Sequence, residues 1–329
     1  MGIKNATKSL FSFVTGIPRS IYNTVISIKN QFHQLRYNLN NLSASNIKLG
    51  IYHLKNGNLN DAIFRFKLVE KYLEPGNKIA SYWLGWTYFL KNNFKNSIIY
   101  FTKAEDKDEL NMLSFIKSID TVTALPTKIN QTCRDLMAAN FIDRFDDKNI
   151  NIPKEMVIAV NEYIETIPEE YSILELGNNV GLLSSEIKKR MQDSFTLTVT
   201  ELSTEMIDLQ NLYFPDQALY DKIYQSTPDE FLQTTQNKYD IIMSLEGVSY
   251  TSDPNQLYSK IFNALSPDGY FAFAVRIAQN NLLSNKYLDF AYNPDLVANE
   301  LKKVGFSILS QKEIILENNN KYHIFVCKK

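Results

Sequence analysis

Residues 171–184 read Tyr-Ser-Ile-Leu-Glu-Leu-Gly-Asn-Asn-Val-Gly-Leu-Leu-Ser: an apolar run, a glycine turn, and the opening of a helix. Glycine lets a backbone turn sharply and approach a ligand, and the helix that follows offers free amide donors and a partial positive charge. The dinucleotide fingerprint Gly-x-Gly-x-x-Gly fails here, because Asn179 and Leu182 occupy its later glycine positions. The pattern that does fit is an acidic residue with glycine at +2 and +6, namely Glu175, Gly177 and Gly181.

Outward from this stretch, short β-rich runs alternate with helical ones. Strands are predicted over 171–176, 195–201, 221–225, 239–245, 269–276, 305–315 and 321–328, and helices over 153–167, 181–191, 203–214, 228–235, 254–265 and 293–304. Such alternation implies an α/β fold, a parallel sheet covered on both faces with right-handed crossovers. The last two runs lie too close for an intervening helix, so the final strand is expected to return antiparallel. Ligands of such sheets bind beyond the carboxyl ends of the strands, near the point where strand order reverses. The second strand ends at Glu201-Leu202, twenty-six residues after Glu175. A carboxylate there can accept hydrogen bonds from both hydroxyls of a ribose, and Leu202 can face an adenine ring.

The segment Glu175-Leu176-Gly177-Asn178-Asn179-Val180-Gly181 resembles the first motif of class I S-adenosylmethionine-dependent methyltransferases, Asp/Glu-x-Gly-x-Gly-x-Gly. Glu201 stands at that family's acidic residue ending strand two. Thr227, in Ser226-Thr227-Pro228, aligns with an Asp that binds the adenine amino group. Met243-Ser244-Leu245-Glu246 resembles the fourth motif, where main-chain carbonyls receive the methionine ammonium, and Leu265-Ser266-Pro267-Asp268-Gly269 resembles the Leu-x-Pro-Gly-Gly turn before strand five. The resemblance covers about residues 130–329. It implies a Rossmann-like seven-stranded methyltransferase sheet with S-adenosylmethionine as cofactor, held by Glu175, Gly177, Asn179, Gly181, Glu201, Leu202, Thr227, Ser244, Glu246 and Phe141. Three residues depart from the pattern: Asn179 for the middle glycine, Thr227 for Asp, and Phe141 for a tyrosine. Asn tolerates left-handed backbone geometry, so the turn can survive, with its side chain near the cofactor's methionine end.

Phe141-Ile142-Asp143-Arg144-Phe145-Asp146 is similar to a Tyr-Ala-x-x-Phe-Asp segment of methyltransferases that carry tetratricopeptide repeats, and Ser284-Asn285-Lys286-Tyr287 to their Ser-Gly-Arg-Tyr. The N-terminal part has its own period of 35 residues: Leu49-Gly50 matches Leu84-Gly85, Gly57 matches Asn92, Ala62 matches Ser97, Phe66 matches Phe101, and Val69 matches Ala104. Each unit reads as two helices around an Asn/Gly turn and resembles a tetratricopeptide repeat, with residues 17–44 and 108–124 as candidate caps. Such helices serve as a groove for a peptide or protein partner, or as a spacer that orients the second domain. The expected organisation is an N-terminal helical segment 1–44, an all-α repeat region 45–125, and the methyltransferase-like domain 126–329.

Composition excludes several other classes. The apolar fraction of 44% suits a folded chain, and the net charge of −1 gives no basic excess for nucleic acid. No Asn/Asp-Pro-Pro-Tyr element follows the fourth strand, as amino-methylating DNA enzymes would have. Cys133 and Cys327 are far apart and no Cys/His cluster has zinc spacing, so no metal is expected and a reducing cytoplasm fits. Leu10-Phe11-Ser12-Phe13-Val14 is too short for a signal peptide, and a myristoylation start fails because Ala6 stands at the hydroxyl position. No stretch is long enough to span a membrane. Residues 8–30 read as a solvated or packing helix, with loose peripheral membrane or partner contact as the alternative.

The function expected is methyl transfer to a protein or small-molecule nucleophile, by proximity, alignment and exclusion of water, with no catalytic base assigned. The competing expectation is a catalytically degenerate methyltransferase fold that acts as a binding or scaffold module.

Overall fold

A computed structural model describes residues 28–29, 41–140, 151–164, 170–191, 194–215, 218–251, 253–279, 282–284, 288–316 and 319–329. Phe141, the segment 141–146, residues 285–287 and nearly all of 1–40 lie outside the described residues, and with them the expectations placed there.

The helical part begins with α1, residues 41–55, and α2, Leu59–Leu68, which runs on through a π-helical turn to Leu73. Then come α3 (Lys78–Leu90), α4 (Phe94–Ala104) and the short α5 (Met112–Lys117). The 35-residue correspondence has a physical counterpart. A Cβ on Gly50 would stand 2.5 Å from the Phe66 ring, and one on Gly85 would stand 2.8 Å from the Phe101 ring. In each unit a phenylalanine of one helix thus packs onto the bare backbone of another. Ser97 Oγ donates to Gly85 O at 2.8 Å, closing the second contact. The turns match as well, with Gly57 at φ 73° and Asn92 at φ 57°.

After α6 (Thr127–Met137) and α7 (Ile152–Asn161) the sheet begins. Its strands are β1 (Glu170–Leu176), β2 (Ser194–Thr200), β3 (Lys222–Tyr224), β4 (Tyr239–Leu245), β5 (Leu265–Arg276), β8 (Ser307–Ile315) and β9 (Lys321–Lys328). Their order is β3-β2-β1-β4-β5-β9-β8. The first five strands pair in parallel, and β9 runs antiparallel to both β5 and β8. This is the expected seven-stranded α/β sheet with its last strand reversed. Strand order reverses between β1 and β4, which places the crevice at their carboxyl ends.

The sheet is covered by α8 (Leu182–Arg190), α9 (Thr204–Tyr213), α10 (Pro228–Thr234), α11 (Asn255–Ala264) and α12 (Pro294–Val304). Alternate residues of β9 enter different clusters, Phe325 and Cys327 one, Tyr322, Ile324 and Val326 the other, as the period-two rule requires.

Two local expectations need correction. The helix predicted over 153–167 is α7, which ends at Asn161. The Leu265-Ser266-Pro267-Asp268-Gly269 turn is an irregularity inside β5, where the register against β4 shifts and Asp268 takes φ 60°. Sequence pattern also missed a small hairpin, β6 (Leu282–Ser284) against β7 (Asp289–Ala291), because three-residue strands carry almost no periodicity.

Candidate functional site

The turn after β1 takes the left-handed backbone at three places, Gly177 (φ 77°), Asn179 (φ 57°) and Gly181 (φ 81°). At Gly177 the need is doubled, since a Cβ there would stand 2.9 Å from the Cα of Gly247. Gly181 caps α8, and its Cβ would meet Leu219 at 2.7 Å. Asn179 therefore keeps the turn that the resemblance requires.

Its side chain, however, is not turned away. Asn179 is buried, and its Nδ2 donates to Gly177 O at 2.9 Å and Leu245 O at 3.1 Å. Leu245 ends β4, so the amide bridges the two strand ends on either side of the reversal. Ser244 supports the same seam by donating its hydroxyl to Leu176 O at 2.9 Å. Glu246 follows at φ 66°, buried, and accepts a hydrogen bond from the Tyr322 hydroxyl at 3.0 Å. A non-glycine residue held in that region costs about 1–3 kcal/mol and is found where structure or function over-determines it.

Glu201, at the end of β2, is buried and heavily bonded. Its Oε2 accepts from the backbone N–H of Asn179 at 2.6 Å and from Arg134 Nη2 at 2.8 Å. Its Oε1 accepts from the Ser203 amide at 2.8 Å and from Arg134 Nη2 and Nε at 2.9 and 3.2 Å. Arg134 comes from α6 and also donates to Asn179 Oδ1 at 2.6 Å and to the Tyr250 hydroxyl. Helix α6 is tied to the same loop through Gln131 Nε2, 3.3 Å from Leu202 O, and Asp135, which accepts from Ser203 Oγ at 2.5 Å.

Glu175 lies beneath the turn, fully buried, where it accepts a hydrogen bond from the Ser184 hydroxyl. Burial pushes its pKa up to about 8, while hydrogen bonds from Ser184 and Asn178 hold it from rising further. Thr227 is the N-cap of α10. Its hydroxyl accepts from the Glu230 amide at 3.2 Å and the Glu230 carboxylate accepts from the Thr227 amide at 3.1 Å, a reciprocal capping box.

Of the sequence-predicted residues, Gly177, Glu201, Leu202 and Thr227 line one cavity, while Asn179, Gly181, Ser244 and Glu246 lie in the strand-end turns around it and Glu175 is buried beneath. Sequence reasoning did not find Arg134, Tyr250 or Tyr322. The available signal for Arg134 was its place four residues after Asn130 on a helix whose apolar positions are Ile129, Cys133 and Leu136, a polar pair beside a buried stripe.

In kind, these groups suit S-adenosylmethionine: a carboxylate for a ribose, strand-end carbonyls for an ammonium, and glycines where backbone must come close. The space directly at Glu201 is narrow in this arrangement. The cavity at Glu201, lined by Asn130, Arg134, Gly177, Leu202, Ser226 and others, holds about 10 Å3. Ser226 Oγ lines it with no hydrogen-bond partner among the described residues. A larger cavity of about 460 Å3 adjoins it, and Asn130, Thr227, Pro228 and Tyr250 belong to both walls.

Residues 149–311 match the family model described as a methyltransferase domain. Among curated proteins, the malonyl-[acyl-carrier protein] O-methyltransferase 1 of Ilyobacter polytropus is 23% identical over 128 residues, 39% of this chain. The chain spans about half the length of that relative, 46% of it. Among solved structures, the [4+2]-cyclase SpnF aligns over 63% of this chain and 98% of its own with a TM-score of 0.50 at 10% identity. An S-adenosylmethionine-dependent methyltransferase of Clostridium acetobutylicum aligns over 61% of this chain and 98% of its own, with a TM-score of 0.45 at 14% identity. Residues 149–311 thus match a methyltransferase domain, and S-adenosylmethionine is the cofactor that this match supports; the sheet shares its fold with the SpnF structure. Among the described residues no helix is long and apolar enough to cross a membrane.

Proposed function

We propose that this S-adenosylmethionine-dependent methyltransferase domain, residues 126–329, transfers a methyl group to a nucleophile of a protein or small molecule. The observation that carries the reading is the buried Glu201 carboxylate facing the left-handed Gly177–Gly181 turn at the point where strand order reverses. When bound, S-adenosylmethionine supplies an electrophilic methyl group on a sulfonium. The chain's task is then to bind, align and exclude water.

Glu201 would accept the ribose hydroxyls, Leu202 would cover one face of the adenine, and the Thr227 hydroxyl would reach its amino group. The carbonyls of Gly177 and Leu245, with Glu246, would receive the ammonium. Ser244 and Glu175 hold the strand ends beneath, and Asn179 and Gly181 shape the turn. Phe141 belongs to the same proposal. The helical repeats of residues 45–125, read as tetratricopeptide-like, would recruit the substrate or partner, with residues 1–44 ahead of them. A cytoplasmic location suits Cys133 and Cys327, which are free and buried.

A second reading has a specific observation behind it. Arg134 occupies Glu201, and the Asn179 amide occupies both carbonyls proposed for the ammonium. A degenerate fold used as a binding or scaffold module would be built this way. Titration calorimetry with S-adenosylmethionine and with its demethylated product separates the two. Methyl transfer requires saturable binding that Glu201→Ala weakens by about 2 kcal/mol or more, the worth of a charged hydrogen-bond acceptor. Absence of heat and of thermal shift up to millimolar ligand would leave the scaffold reading.

A further inference from the structure

The two oxygens of Glu201 receive five donor contacts, three of them from one guanidinium. An ionised carboxylate offers about four lone-pair sites, so this one has no capacity left for a diol. The guanidinium is itself fixed by Asn179 Oδ1 and by the hydroxyl of Tyr250, whose ring lies 5.7 Å from its carbon. Both charged side chains are removed from water, Arg134 at 11% exposure and Glu201 at 0%. Ion pairs of this kind hold firmly against loss of one partner, because the survivor would be left charged and buried.

We propose that Arg134 is an intrasteric plug: it competes with the ribose of the cofactor for Glu201, and the site binds only when α6 withdraws it. This rests on the reading that Glu201 is the ribose acceptor. Two further observations support it. Arg134 lines the 10 Å3 space at Glu201, so withdrawal of the guanidinium would enlarge that space beside the 460 Å3 cavity that shares Asn130, Thr227, Pro228 and Tyr250 with it, a cavity already of the size that small-molecule sites need. The plug also has a lever. The Leu125 amide donates to Tyr250 O at 3.1 Å, and Ala124 bridges Thr251, so the strand-like residues that lead from the helical region into α6 are fastened to the loop whose Tyr250 grips Arg134. A ligand whose competent state is a minor fraction of molecules shows an affinity reduced by that fraction.

The test is titration of S-adenosylhomocysteine into the full chain, comparing wild type with Arg134→Gln, Arg134→Ala and Tyr250→Phe, each checked for a cooperative thermal transition. The plug predicts binding at least about tenfold tighter in Arg134→Gln than in wild type, the equivalent of one charge-assisted hydrogen bond released. Tyr250→Phe, which loosens the plug and leaves Glu201 paired, should tighten binding about two- to threefold, and it serves where the Arg134 variants do not fold. Adding Glu201→Ala to Arg134→Gln should remove the gain. If wild type binds and Arg134→Gln and Tyr250→Phe bind equally or more weakly, the plug is wrong and the cofactor reading stands. If no variant binds up to millimolar ligand, the cofactor reading is wrong and the plug falls with it.

Discussion

The helical region and the crevice both use phi-positive turns and bare glycine, yet they are closed in opposite ways. In the helical region two glycines meet a phenylalanine sixteen residues later in the chain, Gly50 with Phe66 and Gly85 with Phe101. In the crevice the closing group, Arg134, meets Glu201 from a helix 67 residues earlier. A contact made inside one repeat is visible as a period, whereas a contact made across the fold is visible only once the sheet has brought its ends together. The same asparagine backbone illustrates this: Asn92 and Asn179 share φ 57°, but Asn92 is an exposed helix end and Asn179 is a buried bridge between two strands.

This contrast can be broken at chosen positions. The severest case should be Gly247→Ala, whose Cβ would lie 1.9 Å from the backbone oxygen of Leu176. No side chain can yield there, so a loss of about 3 kcal/mol or more is expected in denaturant unfolding. Gly85→Ala meets the flexible ring of Phe101 at 2.8 Å instead, and should cost about 1–3 kcal/mol. Pairing it with Phe101→Leu should recover part of that loss, and a double-mutant cycle showing simple additivity would contradict the contact.

Glu175 gives a pH-dependent comparison. Its folded pKa of about 8 lies above the ordinary 4.5, so retaining the proton contributes stability that is full below about pH 4.5 and lost as pH rises through about 8. Glu175→Gln, which keeps the neutral shape, should therefore raise the melting temperature most at pH 8 to 9 and least near pH 4.5. An equal change at both ends would show that the Glu175 carboxyl titrates at the same pH in the folded and unfolded chain. The smallest effect should come from Thr227→Ala, about 1 kcal/mol of stability through loss of the α10 cap.

The legible part of the molecule follows from where its information lies. Strand runs such as Tyr239–Leu245 are short, mostly apolar segments bounded by turn residues, and their order with the intervening helices was enough for the sheet and its reversed last strand. Gly177, Gly181 and Glu201 were readable because glycine geometry and strand-end spacing are local properties. The orientation of the Asn179 amide was not, because its acceptor Leu245 O is 66 residues away. Arg134 escaped for the same reason, and so did Tyr322, which reaches Glu246 across 76 residues. The β5 irregularity at Asp268 shows a subtler limit, since Pro267-Asp268-Gly269 signals a turn whether it ends a strand or interrupts one.

On the plug proposal, the cofactor and Arg134 compete for one carboxylate, that of Glu201. Selective 15N labelling of arginine would follow the Arg134 Nε–H, which lies 3.2 Å from Glu201 Oε1 in the closed site. In the free protein this signal should be slowly exchanging, and saturating S-adenosylhomocysteine should release it into rapid exchange with water. A protected signal that stays unchanged while the ligand binds would show that Arg134 keeps Glu201 in the complex and is no plug.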